Sequence, residues 1–505
     1  LHRVDRRQRQ MCIRDRYYSD FFVICKGVYM SLSSLFFVLC FLPIMAMIYF
    51  TTTVVGYKNR IILIFSLLFY SFGGVSYLVL LMVMTAIGWI SGVKIETAPD
   101  KKTKKKWLIF SIVVFVLVLG IFKYTNFFVG TVTSIAGINW KPLAIALPMG
   151  ISFYTFKLIS YVTDVYTGKC SAEEHYSVLL LYTSIFPQAL QGPIERYKDI
   201  KDEIYNRDTR AYDISEGIYR FAVGLAKKTI LADHIGELAN TLSPVTESIS
   251  GATMLAVWVG SLCYAMQLYL DFSAYTDMAI GVGRILGFHF TENFNYPYAA
   301  TSVKDFWRRW HITLSSFFRD YVYIPLGGNR AGLLRTGFNL FVVWMLTGLW
   351  HGASWNFVLW GLFYMPFIMI ENWWKKMNFP LFPRIIRQVI TIFIINFAWL
   401  LFRYSDINQL KEVISIFLGI KSNGFSISTV NISIQNNIFI IMACVLSCTP
   451  VFSLLGKMIS AKACNSRSAA CLYQGMRTLF CLILLLLSLA AMAGNSFTPF
   501  LYNQF

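Results

Sequence analysis

The sequence predicts an all-α polytopic integral membrane protein with roughly 11 crossings, on three observations. The 505 residues are 56% hydrophobic, 17% aromatic and only 14% charged, whereas average soluble domains carry about a quarter charged residues. Apolar runs recur along the whole length, each near the ~20 residues that cross about 30 Å of hydrocarbon. Positive charge gathers between runs rather than within them, as cytoplasmic loops require.

Residues 1–16, LHRVDRRQRQMCIRDR, are unlike the rest. MCIRDR is what a common sequencing-library transposon end gives when translated. The leader is therefore expected to be an assembly artefact, with native chain beginning near Met30, and is set aside from fold reasoning. It holds six arginines and two aspartates, so removing it lowers the formal net charge from +19 to +15. Apolar segments then fall near 31–50, 60–73, 75–92, 107–130, 143–166, 176–191, 252–288, 337–350, 354–371, 385–403, 434–455 and 475–493. The segment at 252–288 is long enough for two helices or for one with a break, and the shorter segments allow re-entrant elements. KIETAPDKKTKKKW (94–107) packs six lysines between two apolar runs, which makes it a cytoplasmic loop. Membrane topology thus explains the basic charge, and no nucleic-acid partner is expected. The polar stretch 195–216 reads as a loop or surface helix, and 30–505 as one membrane domain. Its motif core lies at about 147–372, with extra C-terminal helices at about 385–493. None of the ten cysteines forms a C-x-x-C pair or clusters with histidines, so neither a disulfide framework nor a metal site is expected.

One apolar run, LFVVWMLTGLWHGASWNFVLWGLF (340–363), carries a single titratable group, His351. Intramembrane ionisable groups are costly and tend to mark pathways and active sites. The bland alternative is a histidine wetted at a membrane surface. From Gly337 to Ile370 a single helix would run about 51 Å, too long for one crossing, so it must break. Gly352 can take the left-handed conformation that ends a helix, and Ser354 is a good N-cap for the next. His351 is thus expected at the end of one helix and beside the start of another.

TSVKDFWRRWHITLSSFFRDYVYIPLGGNR (301–330) reads as a basic amphipathic helix in or near the membrane interface. Ser302 and Asp305 form a capping-box pattern. Val303, Phe306, Trp307, Trp310, Leu314, Phe317, Phe318 and Tyr321 make one apolar stripe, with Lys304, Arg308, Ser315 and Arg319 mainly opposite. PLGG at 325–328 turns the chain out. His311 falls on the edge of the stripe; an interfacial anchor accounts for the tryptophans and arginines but has no use for an imidazole. Asp271 and Asp277 interrupt another apolar run, about 120° apart on a helix. One of them orients a histidine or pairs with an arginine such as Arg284, or both serve as polar glue between helices.

Taken together, LPMGISFYTFKLISYVTDVYTGK (147–169), FPQALQGPIERY (186–197), YLDFSAYTDMAIGVGRILGFHFTENFNYPYAATSVKDFWRRWHITLSSFFRDYVYIPLGGNR (269–330) and LTGLWHGASWNFVLWG (346–361) resemble the membrane-bound O-acyltransferase superfamily. Its bacterial alginate O-acetyltransferase branch is most similar, and the closing NSFTPFLYNQF resembles that branch's usual ending. The resemblance runs from about residue 60 to the end. One departure is Ala274, where the family often carries glycine. The resemblance implies the family's fold, with re-entrant and interfacial helices, in a multi-pass protein of the bacterial cytoplasmic (inner) membrane. It makes His351, in LWHG, the family's essential histidine and His311, in WRRWH, its second characteristic one.

The implied activity is O-acyl transfer, moving acetyl from a cytoplasmic thioester, acetyl-CoA or another, towards an extracytoplasmic alginate-like polysaccharide. No bound cofactor is expected. His351 would take the proton from the acceptor hydroxyl, and His311 or donors at helix ends would steady the developing oxyanion. No serine or cysteine lies in a G-x-S-x-G pattern, so direct transfer without a covalent intermediate on this chain is expected. Lys304, Arg308 and Arg309 could meet donor phosphates or lipid, with Trp307 beside them. The resemblance further implies a separate extracytoplasmic acetyltransferase partner, because this chain has no soluble domain to complete delivery. Three alternatives stay open: D-alanyl transfer to teichoic acid, a transporter (although no paired inverted repeats stand out), and a structural subunit of a secretion complex.

Overall fold

A computed structural model describes residues 30–330, 332–421, 423–463, 465–494 and 499–501. The arginine-rich leader and most of NSFTPFLYNQF lie outside them. Among the described residues all regular structure is helical, in two compact units, Leu1–Phe115 with Ala146–Leu190, and Val116–Ile145 with Gln191–Phe505.

The first unit holds α1 (Leu42–Tyr49, preceded by a π-turn Phe37–Phe41), α2 (Val55–Ser71), α3 (Val75–Thr97), the start of α4 (Lys101–Ile135), α5 (Ile151–Tyr166) and α6 (Tyr176–Ser184). Phe37, Phe41, Phe69 and Phe186 interlock as tilted and edge-on rings at its core. The lysines read as a loop are not one. Asp100 Oδ1 accepts from the Thr103 N–H at 2.8 Å, so a helix starts there and lysines 101–106 form its first turns. Only Ala98–Asp100 is left to connect α3 and α4.

The second unit continues with the rest of α4, then α7 (Tyr197–Tyr205), α8 (Ala211–Ala226) and α9 (Asp233–Leu242), the last two joined by a π-segment Lys227–Ala232. α10 (Met254–Ile285) follows as one unbroken 32-residue helix where a break was one expectation. Then come α11 (Val303–Arg309), α12 (Ile312–Phe318), α13 (Leu333–His351), α14 (Trp355–Lys376), α15 (Arg384–Arg403) and α16 (Ile407–Phe417). α17 (Ser428–Asn436), α18 (Ile438–Ser447), α19 (Val451–Ala463) and α20 (Arg467–Gly494) complete the described chain. α8 lies against α10 at backbone distance. A Cβ on Gly217 would sit 2.6 Å from the Gly281 carbonyl oxygen, and one on Gly281 2.7 Å from that of Gly217. Neither α8 nor α9 stands among the expected apolar segments.

Six of these helices are long and apolar enough to cross a bilayer, seven if α17 and α18, bent by 59°, form one broken span. The expected count of about eleven is not reached on length and composition. α2 and α5 have only 17 and 16 residues, and α5 carries the buried Lys157 and Asp164. Large side chains such as Leu117 on α4 and Leu486 on α20 are well exposed, as a lipid-facing surface requires. The chain is a multi-pass membrane protein.

The 301–330 stretch departs from its reading as one interfacial helix. Ser302 caps it as expected, its hydroxyl accepting from the Asp305 N–H at 3.1 Å. The helix nevertheless stops at Arg309, and a second begins at Ile312. Val303, Phe306, Trp310 and Leu314 are buried in protein rather than set among headgroups. Gly327 and Gly328 take positive φ and turn the chain out, as read.

Candidate active site

His351 is the last residue of α13 and is almost fully buried. The break follows at Gly352 and Ser354, where the sequence placed it, but by other means. Gly352 is extended (φ −172°) rather than left-handed. Glycine is required there because a Cβ would lie 2.2 Å from the Phe357 ring. Ser354 occupies the N-cap of α14 without a side-chain capping bond. α13 and α14 then pack at backbone distance. A Cβ on Gly348 would meet the Phe357 carbonyl oxygen at 2.3 Å, and one on Gly361 that of Trp344 at 2.3 Å.

A helix end leaves its last carbonyls without intrahelical partners, and α4 supplies two donors for α13. The Lys123 ammonium donates to the Trp350 carbonyl oxygen, and the Tyr124 hydroxyl to that of Leu349 at 2.9 Å. A cation at a helix C-terminus also meets the negative end of the dipole. Around the imidazole stand Trp350, Trp360 and Phe402, edge-on with centroids at 4.8, 4.7 and 5.5 Å. α14, which supplies Trp360 to this cage, starts at Trp355, four residues after His351.

His311 lies in the two-residue gap between α11 and α12, fully buried, with a left-handed backbone (φ 44°). Asn293 holds that geometry. Its carbonyl oxygen accepts from the Ile312 N–H at 3.0 Å. Its Oδ1 lies 3.1 Å from His311 Nδ1 and accepts from the Thr313 N–H at 3.2 Å and the Thr313 hydroxyl at 3.0 Å. The Ile194 N–H donates to that hydroxyl at 3.0 Å, which ties the GPIERY stretch to the same network. His311 Nε2 is buried with no hydrogen-bond partner among the described residues. Burial pushes the imidazole down to about 3. Its ring meets Phe272 at 4.8 Å and Trp350 at 5.4 Å, so both histidines touch the same indole.

The remaining sequence-derived candidates divide. Trp307 reaches the cage, packing edge-on against Trp360 at 5.8 Å and Trp344 at 4.8 Å. Arg309 instead pairs with Asp305 at 3.0 Å, and Arg308 is exposed. Lys304 donates to Asn372 Oδ1, while Glu371 of α14 accepts from the Val303 and Lys304 N–H groups and caps α11. One aspartate does pair with an arginine, Asp277 with Arg220 rather than Arg284, and both pair with lysines of the π-segment. Asp271 meets Lys228 at 2.8 Å; Asp277 meets Lys227 at 2.6 Å and Arg220 of α8 at 2.9 Å. Sequence reading missed Lys123, Tyr124, Asn293 and Glu371. Only the lysine and the glutamate carried a usable signal, as charges at the edges of apolar runs.

Two imidazoles buried at helix ends and sharing one indole suit proton transfer in a site shielded from water. Residues 62–408 match the model of the membrane-bound O-acyltransferase family. The chain is 38% identical to a probable alginate O-acetylase of Pseudomonas aeruginosa, over 75% of this chain and 73% of the relative. It is 32% identical to a peptidoglycan O-acetyltransferase of Helicobacter pylori, over 93% and 96%. A teichoic acid D-alanyltransferase of Bacillus subtilis is 32% identical over 46% of this chain and 60% of the relative. With the match extending over more than half of its length, the chain belongs to the membrane-bound O-acyltransferase family and is an O-acyltransferase.

Proposed function

We propose that the chain moves an acetyl group from a cytoplasmic thioester such as acetyl-CoA across the bacterial cytoplasmic membrane, for O-acetylation of an alginate-like polysaccharide outside. The observation that carries this is His351, buried at the end of α13 in an aromatic cage. His351 accepts the proton of the attacking hydroxyl as its oxygen bonds to the acyl carbon. The carbonyl becomes an oxyanion, steadied by donors at helix ends. When the C–S bond breaks, the thiolate leaves and recovers the proton from the imidazolium, so an ester and a free thiol result. Water is excluded by the indoles, which strengthens every charge interaction in the site. A separate extracytoplasmic acetyltransferase would take the group onward to the sugar.

A second acceptor, the glycan of the cell wall, is favoured by the near full-length match to the peptidoglycan enzyme. D-alanyl transfer has the weaker support, because that match covers less than half of this chain. Acetyl content of purified polysaccharide and of purified wall glycan, in cells expressing wild type or His351→Ala at equal membrane levels, tests the reading. Loss of acetyl from either fraction in the variant supports it and names the acceptor. Unchanged acetyl in both would refute it.

A further inference from the structure

The pattern of donors around Asn293 carries information about His311. A backbone N–H can only donate. The Asn293 side-chain atom beside the Thr313 N–H is therefore the oxygen, and no amide flip can satisfy the site. The Thr313 hydroxyl is directed the same way, since its oxygen is already engaged by the Ile194 N–H. An oxygen acceptor at 3.1 Å from His311 Nδ1 obliges that nitrogen to carry the proton. A neutral ring with hydrogen on Nδ1 has a bare lone pair on Nε2, which is the buried atom without a partner.

Resting on the acyl-transfer reading above, we propose that Asn293 is a positioning residue that fixes His311 as the Nδ1–H tautomer. Its Nε2 then acts as a hydrogen-bond acceptor for an incoming hydroxyl rather than as a donor to the oxyanion. The placement is enforced from the backbone as well. The left-handed turn at His311 is uncommon for a non-glycine residue, and the Asn293 carbonyl holds Ile312 on its far side. Backbone strain fixed by its surroundings is found where a side chain must be aimed. Burial works in the same direction, because a ring kept neutral retains the acceptor lone pair. Oxyanion stabilisation is left to groups other than His311; the incoming hydroxyl rests with its single hydrogen on His311 Nε2 and turns it to His351 as the proton is transferred.

The test uses the full-length protein in membranes, with ¹⁵N-labelled histidine. The His311 signals are assigned by difference from His311→Ala. In wild type we expect a protonated Nδ1 and an unprotonated Nε2. In Asn293→Ala this pattern is lost and acetylation falls on the order of 10²-fold, to the level of His311→Ala. Asn293→Asp, whose carboxylate also accepts from Nδ1–H and from Thr313, restores most of the activity. The double variant Asn293→Ala, His311→Ala is no worse than His311→Ala alone, because the asparagine acts through the ring. A protonated Nε2 in wild type would overturn the proposal, as would full activity in Asn293→Ala. A further loss in the double variant would also overturn it, by showing that Asn293 serves the fold. Full activity in His311→Ala with the wild-type tautomer still dependent on Asn293 would remove His311 from the acyl-transfer reading while leaving the positioning intact.

Discussion

Trp310 and His311 interrupt what looks, in sequence, like one continuous stripe. No glycine or proline marks the spot, and the steps of three and four pass straight through it. The break is made by Asn293, 18 residues earlier, whose backbone and side chain capture the N–H groups of Ile312 and Thr313. Periodicity reports local burial and cannot register a partner arriving from elsewhere in the chain, so His311 was legible as a candidate while its support was not. Its burial has a consequence for pH. The folded ring is pushed down to about 3, whereas an unfolded histidine titrates near 6.5. Above about 6.5 both states hold it neutral and it adds no pH dependence. Between about 6.5 and 3 only the unfolded state takes up the proton, so stability is lost as pH falls, by at most about 1.4 kcal/mol per unit. Detergent-solubilised wild type should therefore melt earlier at about pH 5 than at about pH 7.5, and His311→Gln should show a smaller difference. Equal shifts in the two proteins, followed by tryptophan fluorescence, would contradict a buried neutral imidazole.

At the scale of elements, the end of α13 was readable and its support was not. Length alone demanded a break between Gly337 and Ile370, and the glycine and serine located it. The donors that finish the helix come from α4, over two hundred residues away. Lys123→Met removes a charge-assisted bond of about 1.5–3 kcal/mol and frees the carbonyl adjoining His351. Acetylation should fall on the order of tenfold at unchanged membrane level, with Tyr124→Phe milder; wild-type activity in Lys123→Met would show that the cap does not position the imidazole. The α13–α14 crossing should be equally intolerant. Gly348→Ala forces a methyl group against the Phe357 carbonyl oxygen, an overpacking of about 1–3 kcal/mol. Its thermal midpoint in detergent should drop, and an unchanged midpoint would mean the helices separate without cost. α8 and α9 escaped the sequence reading because their cations and carboxylates dilute the apolar signal. Lys228, the buried cation between them, bridges Asp271, Asp233 and the Pro499 carbonyl, so those charges join helices. Removing one partner of a buried pair costs about 3–5 kcal/mol, whereas replacing both costs less. Lys228→Met should accordingly lower the amount of folded protein in membranes, and Lys228→Met with Asp271→Asn should recover part of it. No recovery would show that the pair contributes little beyond its separate bonds.

For the whole molecule, the class of protein was the most legible feature, because a bilayer demands satisfied backbone and apolar surface over long runs. The number of crossings was the least legible. Short helices such as α2 and α5, with 17 and 16 residues, fall below the length by which crossings are counted, although their apolar runs stood in the sequence count. In the proposed function the thioester lies on one side and the acceptor on the other, and an imidazole buried in the protein interior is where that proposal puts the proton transfer. The most direct test of that claim is acetyl content of the surface glycan in cells producing wild type or His351→Ala, with membrane levels matched. We expect the variant to insert normally and the acetyl groups to disappear. Acetylation that persists with the variant fully inserted would reduce His351 to a packed helix terminus and contradict the account.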